Sequence, residues 1–238
     1  MSASSAAKST NQTAAETEIN EEKPLRYIIQ NLERTFGEPV LKPKSAPLDM
    51  LISVVLSQAT TDALSNRTFA ALKEKYQIWE VALKADESEI AETIKLGGLA
   101  NQKSRVIKSL LVQIKQTRGD LNLDFLHESS IAEAVEYLKQ FRGAGPKTIA
   151  CTLLFACHKN IFPLDTHIFR VLRRVGLVPQ KCSDARAHEI LDGIVPEGKF
   201  YSLHVNLIRL GRKICRPREP VCERCPIVEY CDYGSQKI

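Results

Sequence analysis

Four cysteines crowd into residues 215–231: Cys215, Cys222, Cys225 and Cys231, spaced C-x6-C-x2-C-x5-C. In so short a loop four thiols converge as a ligand set, and the segment must fold around whatever they hold. Four cysteine ligands serve structural zinc or an iron-sulfur cluster, and the spacing leaves both open. The other three, Cys151, Cys157 and Cys182, lie in or near apolar stretches and read as small core residues. Seven cysteines are an odd number for a disulfide framework, which points to a reducing compartment.

Ahead of that loop the pattern is helical almost throughout. Apolar residues recur at spacings of three and four in Leu25, Ile28, Ile29 and Leu32, and again in Leu48, Leu51, Ile52 and Val55. Further stripes are Val106, Ile107, Leu110, Leu111 and Ile114, then Ile131, Val135 and Leu138, then Ile168, Val171 and Leu172. Asp86 with Glu89 and Ser130 with Glu133 predict side-chain caps at two helix starts. Alternating strand patterns are scarce, so the chain reads as all-α. Residues 1–22 are small and polar, without apolar periodicity, and are expected to form a disordered tail. They contain four glutamates and no arginine, which argues against an organelle presequence. No apolar run approaches the roughly 20 residues of a membrane helix, and no secretory signal opens the chain. The expectation is an intracellular monomer with no membrane partner, working in a prokaryotic cytoplasm and nucleoid or a eukaryotic nucleus. The net charge of +5 favours a polyanionic partner without proving one.

Between two helical stretches lies FRGAGPKT, residues 141–148. Gly143 and Gly145 permit positive φ and close approach, and the free amides at the next helix start attract anions, so a DNA phosphate can dock there. A plain helix-helix turn satisfies the same pattern. Lys147 leaves this hairpin, and Asp165 follows in FPLDTHIFRV. A helix over about 147–157 and a short return would bring the carboxylate towards the amine, as activation of an amine nucleophile requires. Taken separately, Lys147 reads as solvent-facing and Asp165 as the N-cap of a helix from Thr166.

FRGAGPKT followed by PLDTHIFRVLRRVGL resembles the endonuclease III family of helix-hairpin-helix DNA glycosylases, over roughly residues 25–233. The resemblance implies a base-excision glycosylase with abasic-site lyase activity on double-stranded DNA carrying damaged bases or abasic sites, with oxidised or ring-saturated pyrimidines as substrates. It places Lys147 on the family's Schiff-base lysine and Asp165 on its catalytic aspartate. It also makes the four cysteines the ligands of a 4Fe-4S cluster. The implied architecture is a six-helix lobe over 47–164 and a cluster lobe combining 23–46 with 165–238. Rival readings are a glycosylase for mismatched or methylated pyrimidines and a non-catalytic iron-sulfur DNA-binding protein.

DNA contacts are expected from three further places. VVLSQATTDALSN resembles the family segment that borders the flipped nucleotide, although Gln58 directly follows Ser57 where the family places one residue between them. GGLANQKSRVIKS resembles the element that holds the target strand, with Asn101, Gln102 and Lys103 as contacts. Arg209, Arg212, Lys213, Arg216 and Arg218 crowd the cysteine loop with no acid among residues 209–218, a basic patch suited to phosphates.

Overall fold

The computed structural model describes residues 25–238, all-helical with no strand among them; the expectation for residues 1–22 lies outside this range. Helix α1 (Leu25–Phe36) buries Leu25, Ile28, Ile29 and Leu32, the three-and-four stripe of its sequence. Helix α2 (Pro47–Ser57) starts on a proline, whose fixed φ suits the first helical position, and is buried on most of its surface. After α3 (Asp62–Lys75), α4 (Trp79–Lys84) and α5 (Glu87–Ile94), a single 3-10 turn at Lys95–Gly97 leads into the long α6 (Ala100–Arg118). Helix α7 (Ile131–Lys139) opens on the expected capping box: Ser130 accepts from the Glu133 amide, and the Glu133 carboxylate accepts from the Ser130 amide. Asp86 differs from the expectation. It precedes α5 but its side chain makes no cap bond, and the Glu89 carboxylate that would complete a capping box is engaged instead by Lys75 at 2.8 Å and the Tyr76 hydroxyl at 3.2 Å.

Helix α8 (Pro146–Cys157) is the wall shared by two hydrophobic cores. Ile149, Ala150, Leu153 and Ala156 join Leu51, Ile52, Leu110 and Leu138 in a first core built from α2 to α8. Leu154, one residue round the same helix, belongs to a second core. That core gathers α1, Phe162, α9 (Thr166–Val175), α10 (Asp184–Ile194), α11 (Phe200–Lys213) and Ile227 from the cysteine loop. Lys147 stands in the first turn of α8 and Asp165 immediately before α9, so both candidates lie where the two cores meet.

Candidate active site and cysteine loop

The hairpin before α8 has little freedom. Gly143 adopts φ +103°, and a Cβ there would lie 2.5 Å from Val106 Cγ1 on α6, so both the backbone conformation and the close approach require glycine. Gly145 is the N-cap of α8 and brings no side chain to bond the helix's first amides, which leaves them available to an anion.

Lys147 and Asp165 are each half-buried and form no ion pair with one another among the described residues. Two buried groups feel both charges. Cys151, one turn along α8 from Lys147, has its thiol pushed up to about 11 by burial, with Lys147 pulling it down and Asp165 raising it. His204 on α11 is brought down to about 4 by burial, while its contact with the Pro163 carbonyl, 3.0 Å from Nδ1, and Asp165 pull the other way. At neutral pH the thiol and the imidazole are both uncharged, so neither neutralises the amine or the carboxylate. Phe155 and Phe162 meet the imidazole edge-on at 5.4 and 6.0 Å and keep it dry. Cys151 reads from the sequence as a small core residue; its i, i+4 spacing from Lys147 was the available signal for their shared environment.

The remaining candidates separate. Gln58 and Asn101 are exposed at the ends of α2 and α6. Lys103 corrects the expectation of a DNA contact: it is 2% exposed and donates at 2.8 Å to both Leu56 O and Gly97 O, so its ammonium faces the interior. Arg212 pairs with Asp62 at 2.9 Å and lies close enough to Asp165 to feel its charge. Arg209 turns inward to the Phe36 carbonyl at 2.8 Å. Lys213, Arg216 and Arg218 are exposed beside the cysteine loop, Arg216 donating to the Glu219 carbonyl.

All four cysteines line one pocket, together with Ile214, Pro220, Val228 and Tyr233. Among the described residues no three His, Cys, Asp or Glu side chains are placed to hold a single metal ion. Arg174 braces the loop, donating to Cys215 Sγ at 3.3 Å, Arg216 O at 2.8 Å and Pro217 O at 3.0 Å. No helix among the described residues is long and apolar enough to cross a membrane.

Residues 52–197 match the family model described as HhH-GPD superfamily base excision DNA repair protein. An Arabidopsis thaliana protein assigned to the DNA glycosylases is 35% identical over 195 residues, covering 78% of this chain and 66% of that one. Endonuclease III of Sulfolobus acidocaldarius is 32% identical over 190 residues, covering 79% and 82%. Among solved structures, a trapped endonuclease III-DNA covalent intermediate superposes with a TM-score of 0.74 at 26% identity, covering 90% of this chain and 96% of that one.

Proposed function

The chain belongs to the HhH-GPD superfamily of base excision DNA repair proteins, and from that premise we propose that Lys147 and Asp165 are the catalytic pair of an endonuclease III-like DNA glycosylase that also cleaves the abasic site it leaves. The observation that carries this reading is that Lys147, in the first turn of α8, and Asp165, the N-cap of α9, lie half-buried where the two cores meet, close enough that the buried Cys151 and His204 each feel both charges, and form no ion pair with one another. An amine locked in an ion pair is a poor nucleophile; here amine and carboxylate share a site without being bonded to one another. An endonuclease III of the same fold has been trapped covalently on DNA, which supports a nucleophilic enzyme.

In the reaction, the damaged nucleotide is first rotated out of the duplex, since its glycosidic carbon cannot be reached inside the stack. Lys147 Nζ, as free amine, attacks C1′. The C1′–N bond breaks, and the base leaves with the bonding electrons and takes up a proton. Asp165 steadies the positive charge on the sugar and accepts the proton that the amine gives up. Ring opening gives a C1′ imine on Lys147, which acidifies the C2′ hydrogen. Its removal expels the 3′ phosphate by β-elimination, and water then frees the lysine. The hairpin amides around Gly143 and Gly145, with exposed Arg216, Arg218 and Lys213, are suited to the DNA backbone. The substrates proposed are oxidised or ring-saturated pyrimidines in duplex DNA, handled by a monomer.

The cysteine loop fits a 4Fe-4S cluster. Its donors are four soft thiolates gathered around one largely apolar pocket, a donor set suited to iron-sulfur ligation. When bound, such a cluster supplies iron-thiolate bonds that fix residues 215–231, and the chain's own residues carry out the bond changes above.

The test is borohydride trapping on an abasic duplex. A covalent protein-DNA adduct is expected from the native chain and none from Lys147→Gln, with base release from a panel of damaged pyrimidines measured separately from nicking. DNA binding without an adduct would overturn the enzyme in favour of a binding protein. Purified protein is expected to carry iron and sulfide and to absorb in the visible; a colourless preparation with one zinc would overturn the cluster.

A further inference from the structure

A lysine ammonium taken out of water needs a reason to be there, and Lys103 has no carboxylate to offset the cost: among the described residues it forms no ion pair. Its two partners are both carbonyls at the ends of helical segments. Leu56 O belongs to the last turn of α2, and Gly97 O ends the 3-10 turn before α6. Such carbonyls lack intrahelical donors and carry the negative end of the helix dipole, so one cation caps two helix ends at once.

Beyond each of those carbonyls the chain enters a conformation that L residues avoid. Ala59, three residues after Leu56, has φ +51°, and Leu99, two residues after Gly97, has φ +52°. Neither is glycine, asparagine or aspartate, and each such residue costs on the order of 1 kcal/mol or more unless its surroundings over-determine it. Both are exposed, Leu99 at 53%. Both segments connect to the candidate active site through neighbouring elements. The 58–62 segment is tied by Asp62 to Arg212, which feels Asp165, and α6 presses Val106 against Gly143 of the hairpin.

We infer that Lys103 is a positioning residue: its buried ammonium joins the segments 58–61 and 98–101 into one pre-shaped rim, so that Gln58 and Asn101 are presented at a fixed spacing to the strand being opened. The inference rests on the glycosylase reading above. In the free protein the rim is held in its strained form from inside, and the energy of duplex contact is spent on extruding the nucleotide instead of on ordering two loops. Lys103 touches no DNA and takes part in no bond change.

The experiment compares Lys103→Met with the native chain in two reactions: base release from a fully paired damaged duplex, and nicking of an abasic site placed in a single-stranded gap. Loss of about tenfold or more is expected in the first and little change in the second, because an already extruded sugar does not need the rim. Amide hydrogen exchange at residues 59–61 and 98–100 is expected to speed up, with α8 and α9 unchanged. Equal loss in both reactions, or unaltered exchange in the two segments, overturns the inference. If Lys103→Met does not fold, Lys103→Gln, which retains a neutral amide donor group, is judged by the same ratio and the same amides. Failure of the native chain to form the borohydride adduct would instead overturn the glycosylase reading, so the two failures are distinguishable.

Discussion

Asp165 Oδ1 accepts a hydrogen bond from the Ile168 amide at 2.7 Å, so the carboxylate proposed to steady the reacting sugar is also the N-cap of α9. The local and the catalytic readings of this residue are therefore compatible, since the second oxygen remains free to face the site. The two roles can be separated. Asparagine caps a helix about as well as aspartate but carries no charge, so Asp165→Asn is expected to change stability by less than about 0.5 kcal/mol while slowing base release by roughly 10²- to 10⁴-fold. Asp165→Ala should add a stability loss of about 1 kcal/mol. Denaturant melts beside single-turnover base release check both; an asparagine variant as unstable as the alanine one would contradict the shared role.

The two caps read from the sequence should behave differently. Ser130→Ala removes a bonded cap and is expected to cost about 1 kcal/mol, whereas Asp86→Ala removes a side chain with no cap bond and should cost less than about 0.5 kcal/mol. Paired urea midpoints decide this, and equal losses would count against it.

The contrast marks what the sequence can hold. The Ser130 capping box, the α1 stripe and the α8 helix, expected over about 147–157 and found at Pro146–Cys157, are set by residues within one or two turns, and all three were legible. The direction of Lys103 was not. Its partners Leu56 O and Gly97 O come from two other places in the chain, the first 47 residues away, and a polar run at a helix start looks the same whether its lysine faces solvent or two orphan carbonyls. The same holds for His204, whose Pro163 partner lies 41 residues back. The cysteine spacing identified a ligand set, which the structure gathers around one pocket, and left its occupant to the iron and sulfide measurement.

Gly143 carries two independent demands, a positive φ and contact with Val106. Gly143→Ala meets neither, so a stability loss of about 1–3 kcal/mol is expected, with weaker duplex binding as the hairpin shifts. Gly145→Ala is the control: its φ of −73° is ordinary, and an added Cβ would meet nothing within 4 Å. Thermal melts and duplex titrations should rank the two variants in that order.

The buried imidazole gives the fold an acid limit. In the native chain His204 stays neutral down to about 4, against an ordinary 6.5, because burial opposes the charged form. The unfolded chain takes up this proton first as the pH falls, so it binds more protons than the native state between those values, and stability drains through that window by at most about 3 kcal/mol. Asp165 draws the imidazole towards protonation and Lys147 opposes it, so the same titration reaches the proposed catalytic pair. His204→Asn keeps an amide donor for the Pro163 carbonyl but does not titrate. Melts of the native and variant chains from pH 7 to pH 4 are expected to show a shallower fall for the variant, with the two differing little above pH 7. Parallel curves would mean that another group, such as the half-buried His188 whose own pKa burial also lowers, sets the acid limit.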